Sequence, residues 1–348
     1  MLSNISIKEA EQLIATVGTK VTVHLQGQPG IGKSTILQSL AKRFPTHTPV
    51  YIDCADLDLG DLAMPAMNHE KKTTSWYPNE RFAITEDKPT IVMLDEITKA
   101  CEPVKNMLLP VMLERRLGAV NFHPDSIVYS TGNEVLDGVG DSMKGHAKSR
   151  VTTVTMRSPD ADEYVEYGVA NDHAPELLAW VKQFPHCLAS YQDEAQKENM
   201  YIYRPSEQQT AYFCPRSGTK ASEIIKHRLT LGVDLTMSAL IGTIGEASAR
   251  DMSAYFNLSD ELPTRDIIQS SPTTAPVPKD PSAQIILVMR ELMAIESKHV
   301  KSWVTYMQRL PMEVQALFGT TISESSKASE VMNEPDFTSW AVENQKYF

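Results

Sequence analysis

The chain has 348 residues, of which 42% are hydrophobic, so it is long enough for two domains and able to bury a sizeable core. It carries 33 Lys and Arg residues against 44 Asp and Glu residues, and its net charge of -11 argues against a generally basic surface for nucleic acid. No segment has the apolar length of a signal peptide or a membrane span, and the cysteines lack metal-binding spacing, so we expect a cytoplasmic protein with reduced, mostly buried thiols. The four cysteines are Cys54, Cys101, Cys187 and Cys214.

The first elements place a glycine-rich stretch between a strand and a helix. An amphipathic helix is predicted over Ser6–Val17 and an apolar strand over Val21–Leu25. Residues 27–35 follow the strand, and a helical pattern runs from Ser34 to Arg43. This order of strand, glycine loop and helix is the setting of a phosphate-binding loop.

The glycine-rich stretch has the complete pattern of such a loop. Its three glycines let the backbone turn sharply and bring successive N–H groups close to anionic oxygens. We expect Lys33 to reach the β- and γ-phosphates of ATP and the hydroxyl of Ser34 to ligate Mg²⁺. The alternative, a glycine-rich turn with a chance lysine, is less consistent with the flanking strand and helix. The predicted nucleotide-binding residues are Gly27, Gln28, Pro29, Gly30, Ile31, Gly32, Lys33, Ser34 and Thr35.

Two further strands and an irregular stretch follow. After the strand Val50–Asp53, the Pro- and Gly-marked stretch Asp58–Pro78 is interpreted as an ordered excursion from the domain, because long structured loops are usually functional. The run Pro89–Glu96 is nearly continuous in apolar residues, as in a strand buried on both faces of a parallel sheet, and it ends in Asp95 and Glu96. Open α/β sheets place their chemistry at such strand ends.

The next elements complete an α/β domain. They are a helix over Lys99–Arg115, a hairpin over Arg116–Pro124, a strand over Ser126–Ser130 and a strand over Val151–Met156. Because strands and helices alternate as far as residue 157, the predicted fold class is an α/β P-loop NTPase domain with a parallel sheet.

From Pro159 onward the patterns are helical, as in 162–169 and 176–183. A proline-rich stretch over Ser271–Ser282 is a linker or a surface crossing. The predicted domains are an α/β nucleotide-binding domain at 1–157, a helical lid at 158–270, the linker at 271–282 and a C-terminal helical segment at 283–348.

The two carboxylates after the apolar run match the second half of a P-loop hydrolase. Asp95 would hold Mg²⁺, usually through water, and Glu96 would orient and deprotonate the attacking water. Asn133 follows its own apolar strand and can point at the γ-phosphate or that water. Arg150, at the start of the next strand, and Arg216, after a proline in the helical region, are candidates to stabilise transition-state charge. The alternatives are solvated carboxylates, a turn asparagine and ordinary surface ion pairs.

At these residues the sequence resembles the MoxR-type AAA+ ATPases, from residue 20 to about residue 217. The segment Leu113–Gly118, which leads into the hairpin, and the segment Asp61–Pro65 also match the family. Arg150 departs from it, because Val151 follows in place of the usual Phe. The motifs that carry the resemblance are Walker A (Gly27–Thr35), Walker B (Ile91–Glu96), sensor one (Ser130–Asn133), the arginine-finger segment (Lys148–Arg150) and sensor two (Pro215–Ser217).

The resemblance implies an AAA+ domain followed by an α-helical lid, and a Mg²⁺-dependent ATPase that remodels, activates or assembles a protein partner in the manner of a chaperone. It also implies a homo-oligomeric ring, a hexamer, and a partner with a von Willebrand factor A domain; neither nucleic acid nor a membrane is expected as a partner. The residues by themselves indicate only nucleotide chemistry. They leave open a nucleic-acid-associated AAA+ motor or loader, and a small-molecule P-loop kinase, which would not need Glu96 beside Asp95.

Overall fold

The computed structural model describes residues 4–84, 86–133, 150–204, 207–325 and 327–345. The chain forms two compact units, Met1–Ser158 and Pro159–Phe348. No helix in the described ranges is long and apolar enough to cross a membrane.

The first unit is built on a five-stranded sheet. All four of its neighbouring strand pairs are parallel, and the spatial order is β2-β5-β8-β1-β9. The predicted α/β fold with a parallel sheet is therefore confirmed. In chain order the strands of this unit are β1 (Val23–Gln26), β2 (Thr48–Asp53), β3 (Ala63–Asn68), β4 (Thr73–Pro78), β5 (Thr90–Asp95), β6 (Arg116–Leu117), β7 (Val120–Asn121), β8 (Ile127–Gly132) and β9 (Thr152–Thr155).

The central strands are covered on both faces, as the apolar run before Asp95 predicts. Every residue of β5 and of β8 is buried. Alternate side chains of β5 enter two different cores: Ile91 and Met93 pack with the helices near the phosphate loop, and Val92 and Leu94 pack on the opposite face. The helices of this unit are α1 (Ile7–Val17), α2 (Thr35–Arg43), α3 (Leu59–Leu62) and α4 (Glu102–Glu114), with 3-10 turns at Glu80–Phe82 and Ile97–Lys99.

Helix boundaries follow local capping and proline chemistry. Ser6 is the N-cap of α1, where its hydroxyl accepts from the backbone N–H of Glu9 in a capping box. The helix expected from Lys99 begins only at Glu102, because 97–99 forms a tighter turn, and it tolerates Pro110 inside. Helix α4 ends at Glu114, and its C-cap residue Arg115 adopts a left-handed conformation with φ 53°.

The irregular stretch before β5 is an α3 turn followed by an antiparallel β3–β4 hairpin, a specific form that the sequence did not predict. The smaller predicted hairpin is present as β6–β7. The two hairpins touch: the N–H of Ala119 donates to the carbonyl oxygen of Trp76 at 2.6 Å, and a Cβ at Gly118 would overlap that oxygen. Gly118 also has φ 59°, a left-handed conformation that favours glycine.

The regular elements in the described residues of the second unit are all helices, with 3-10 turns at Pro185–Leu188 and Glu194–Gln196. One core holds it together, and the fully buried Trp180, Trp303 and Trp340 are among its largest members. Its helices are α5 (Ala161–Ala170), α6 (Pro175–Gln183), α7 (Pro215–Lys226), α8 (Arg228–Leu231), α9 (Val233–Ile244), α10 (Glu246–Asp260), α11 (Arg265–Ser270), α12 (Pro281–Ala294), α13 (Ser297–Met307), α14 (Met312–Glu324), α15 (Ala328–Met332) and α16 (Pro335–Glu343).

The proline-rich stretch between α11 and α12 packs within this unit. Carbonyl oxygens at positions 272, 276 and 278 accept hydrogen bonds from Arg309, Tyr306 and Gln284, respectively. The structure thus groups 159–348 together, whereas the sequence divides it at 271–282. The assignment of 158–270 as a functional lid stays a prediction.

Candidate nucleotide-binding site

The phosphate loop lies between the end of β1 and the start of α2. Gly30 and Gly32 have φ values of 81° and 103°, which a side chain would disfavour. Both the N–H and the hydroxyl of Thr35 donate to the carbonyl oxygen of Gly32, at 3.0 and 2.7 Å. These bonds fix the loop against the first turn of the helix, and the N-terminus of a helix favours the binding of an anion.

Lys33 connects this loop to the residue that follows β8. Its ammonium donates to the carbonyl oxygens of Gly27 at 2.5 Å and Gln28 at 3.0 Å, and to Oδ1 of Asn133 at 3.2 Å. Both Lys33 and Asn133 are buried. A buried ammonium needs such acceptors because its desolvation is costly. The structure therefore brings together two residues that the sequence placed 100 positions apart.

Asp95 is the last residue of β5, and its buried carboxylate accepts hydrogen bonds from two hydroxyl groups. Thr131 donates to Oδ1, and Tyr51 donates to Oδ2 at 2.8 Å. Burial and the neighbouring Asp95 raise the pKa of Tyr51, so the phenol keeps its proton and acts as the donor. Asp95 is thus held in a fixed orientation by two hydroxyl donors.

Glu96 leaves the strand in a different direction from Asp95. Its φ is 50°, in the left-handed region, and its N–H donates to Oγ1 of Thr131 at 3.2 Å. Its carboxylate forms an ion pair with Lys99, three residues further along the chain. The predicted base therefore has a cation as its neighbour.

The residues expected to bind magnesium have suitable chemistry. Asp95 offers a carboxylate, and Ser34 offers an exposed hydroxyl that does not cap α2. Mg²⁺ prefers such hard oxygen ligands and retains several waters, so one or two protein ligands suffice. The described residues contain no cluster of three or more His, Cys, Asp or Glu side chains that could hold a metal. The Mg²⁺ assignment rests on the oxygen donors.

The two candidate arginines are exposed. Arg150 lies two residues before β9 and forms no ion pair with the described part of the chain; its neighbours Lys148 and Ser149 lie outside the described residues. Arg216 is exposed in the first turn of α7, in the second unit. The roles given to both stay predictions.

Sequence reasoning missed Thr131 and Tyr51 as site residues. Thr131 is fully buried and links Asp95 to the backbone of Glu96. A hydroxyl residue one position before the end of a strand beside the carboxylates was a signal for it. Tyr51 had no comparable signal, because an aromatic residue in an apolar strand is ordinarily a packing residue.

His24 lies in β1 and is buried. Its Nδ1 is 2.9 Å from Oγ of Ser130, and its ring lies close to Gly132. Its Nε2 has no hydrogen-bond partner among the described residues. Burial and the charge of Lys33 lower the pKa of His24 to about 4, so the imidazole is neutral at physiological pH. Neutrality avoids a second buried positive charge beneath the phosphate loop.

We predict that His24 makes the first unit sensitive to acid. The unfolded chain binds a proton at His24 near pH 6.5 and the folded chain only near pH 4, so unfolding takes up a proton between these values. Lowering the pH through this window should reduce the free energy of unfolding by about 1.4 kcal/mol per pH unit. Urea denaturation of the wild type and of His24→Gln at pH 7.5, 6.5 and 5.5 measures this slope.

The non-titrating variant should lose less stability on acidification than the wild type. His173, whose pKa burial also lowers to about 4, is present in both proteins and cancels in the comparison. Equal slopes for the two proteins would contradict the assignment.

Comparison with known proteins gives a domain type. Residues 22–126 match the AAA domain of the dynein-related subfamily. Comparison of the sequence with curated proteins finds no match. Among solved structures, a point mutant of RuvB from Thermotoga maritima aligns with 76% of this chain and 75% of its own, at 15% identity and a TM-score of 0.38.

Two other structures align at similar levels. A proposed ATPase from Cytophaga hutchinsonii aligns with 78% of this chain and 90% of its own, at 14% identity and a TM-score of 0.35. NtrX from Brucella abortus, solved with ADP, aligns with 100% of this chain and 70% of its own, at 13% identity and a TM-score of 0.34. Scores this low carry no argument about activity, partner or assembly. The matched segment spans β1 to the residue before β8, and with its phosphate loop and parallel sheet the chain carries an AAA domain of the kind found in ATPases.

Proposed function

We propose that this protein is a MoxR-type AAA+ ATPase, which hydrolyses ATP with Mg²⁺ to remodel, activate or assemble a protein partner. The observation that carries the ATPase proposal is the connected set of side chains at the ends of β1, β5 and β8. Lys33 of the phosphate loop bonds to Asn133, and Thr131, two residues before Asn133, bonds to both Asp95 and Glu96. These two hydrogen-bonded groups, joined by the backbone between Thr131 and Asn133, support the proposal that the site binds phosphate, metal and water.

The roles follow from the chemistry of each group. Lys33 and the loop N–H groups bind the phosphates, and Ser34 and Asp95 hold the ion. Mg²⁺, when bound, neutralises charge on the β- and γ-phosphate oxygens. Asn133 is placed to orient the γ-phosphate or the attacking water. Glu96 is the proposed base for that water, and its ion pair with Lys99 must open for the paired carboxylate oxygen to accept the proton.

The first prediction from these roles separates binding from hydrolysis. Lys33→Ala should abolish detectable ATP binding, because it removes the cation that faces the phosphates. Glu96→Gln should keep ATP binding and lower turnover by about 10²- to 10⁴-fold, the usual contribution of a general base. Nucleotide titration and phosphate release without any acceptor measure the two effects. Equal loss of binding in both variants would contradict this division, and turnover only with an acceptor would indicate a kinase.

We further propose that the active protein is a homo-oligomeric ring, a hexamer, in which Arg150 completes the ATP site of the adjacent protomer. Arg150 is exposed and unpaired within the described chain, so its guanidinium is free to meet a neighbour. Such an arginine stabilises charge that develops in the transition state.

A mixing experiment tests the role in trans. Arg150→Ala should bind ATP nearly normally and turn over about 10³-fold more slowly or worse. Mixed with Lys33→Ala under subunit exchange, it should regain partial activity, because some interfaces then pair an intact loop with an intact arginine. Sedimentation verifies mixed rings. A mixture that stays as inactive as either parent would rule out action in trans.

The proposed contact with the protein partner is the β3–β4 hairpin, supported by the β6–β7 hairpin beside it. The exposed apolar residues Met64, Met67, Trp76 and Tyr77, the hairpin patch, lie on β3 and β4. Met67 is 73% exposed and Trp76 is 48% exposed. The register places Met67 and Trp76 on one face of the hairpin and Met64 and Tyr77 on the other. Exposed apolar side chains of this size are typical of protein interaction sites. A von Willebrand factor A domain protein is the partner that the family resemblance suggests.

Replacing two residues of the hairpin patch should abolish binding of the partner without affecting ATP hydrolysis. The double variant with Met67→Ser and Trp76→Ser should hydrolyse ATP at a basal rate within a few-fold of the wild-type rate. It should no longer bind the proteins that co-purify with the wild type from the native host. The matched control is Met200→Ser in the second unit, which is 60% exposed. Mass spectrometry of the bound proteins distinguishes the variants, and an unchanged set would contradict the proposal.

A nucleic-acid motor or loader is the alternative function. The cation of the smaller hairpin, Arg116, is engaged by Glu114 and by the carbonyl oxygen of Gly118, so the structure gives this alternative little support. Nuclease treatment during the same purification separates the two functions, because partners held through nucleic acid would then be lost.

A further inference from the structure

Tyr51 contacts the candidate metal ligand from the edge of the sheet. It lies in the edge strand β2, which pairs with β5 so that Asp53 is opposite Asp95. Tyr51 precedes Asp53 by two residues in the same strand, and its hydroxyl donates a hydrogen bond to Oδ2 of Asp95 at 2.8 Å. The side chain therefore spans from one strand to the functional end of the next.

The exposure of Tyr51 argues against a packing role. The residue is 53% exposed, whereas aromatic side chains kept for packing, such as Tyr129 in β8, are fully buried. The carboxylate of Asp95 is the hydrogen-bond partner of its hydroxyl. The side chain thus contributes little to the core and makes a directed bond to a functional group.

The two hydroxyl donors fix Asp95 from both sides. Thr131 of β8 bonds to one oxygen and Tyr51 of β2 bonds to the other. An ionised carboxylate has about four acceptor positions, so about two remain for waters of a metal ion. Neither donor carries a charge, and the carboxylate keeps its full attraction for a cation.

We propose that Tyr51 is a positioning residue that orients Asp95 for the Mg²⁺ of a bound Mg·nucleotide. This inference rests on the proposed function, because it assumes that Asp95 serves the metal. Outer-shell hydrogen bonds of this kind hold a ligand in the geometry that the ion requires, and their loss usually lowers metal affinity by about 10- to 100-fold. Since Tyr51 is half exposed, we expect a loss of about tenfold, at the lower end of that range.

The test is Tyr51→Phe, which removes only the hydroxyl. The ADP dissociation constant is measured by calorimetry with excess Mg²⁺ and again with EDTA, and the ratio of the two values gives the enhancement by the metal. Electron paramagnetic resonance of Mn²⁺ in the presence of ADP reports the metal site directly. The control is Tyr77→Phe, since Tyr77 is 51% exposed and its hydroxyl has no hydrogen bond within the described ranges.

The expected result is a metal enhancement about tenfold smaller in Tyr51→Phe, with metal-free ADP affinity unchanged and Tyr77→Phe like the wild type. An unchanged or larger enhancement in Tyr51→Phe overturns the inference alone. A loss of ADP affinity that is equal with Mg²⁺ and with EDTA also overturns it, because the hydroxyl would then serve the loop. A wild type without metal enhancement overturns the proposed function and this inference together.

Discussion

The site depends on the register of three parallel strands. Gln26 of β1 lies opposite Gly132 of β8, and Leu94 of β5 lies opposite Ser130 of β8. This alignment ends the strands together, so that the phosphate loop, the carboxylates and Asn133 follow at one edge. A slip of one residue would turn every side chain to the other face of the sheet, which the two apolar cores forbid. Hydrophobic burial thus fixes the positions of polar groups that contribute nothing to it.

The buried charge of Lys33 constrains its surroundings. Its ammonium donates to two loop carbonyl oxygens and to Asn133, which are neutral acceptors. Phosphate oxygens carry full charge and would be stronger acceptors, so exchange of partners favours binding. Burial and that same charge lower the pKa of His24 to about 4, so the imidazole adds no second buried cation at physiological pH. The chemistry of the loop therefore extends into the sheet below it.

Sequence reasoning predicted the parts of this unit that depend on local pattern. The run Ile91–Leu94 is apolar at every position because both faces of β5 are covered. From this run the sequence predicted the strand, its place in a parallel sheet and the carboxylates at its end. The partners of those carboxylates depend on which strands become neighbours. Tyr51 is 44 residues from Asp95, and nothing near it in the chain indicates that β2 pairs with β5. The β3–β4 hairpin was not predicted in this form because its turn, around Glu70 and Lys71, lacks the Asn-Gly or Asp-Gly signal.

Two adjacent carboxylates acquire different roles through the charge of their partners. Asp95 is bonded by the hydroxyls of Thr131 and Tyr51, which fix its orientation and leave its negative charge for a cation. Glu96 turns away through a left-handed backbone and is paired with Lys99, which offsets its charge. A carboxylate that must attract a metal ion benefits from neutral donors. In the proposed mechanism Glu96 acts as the base only when its ion pair with Lys99 opens, and its left-handed backbone follows directly on the strand that ends in Asp95.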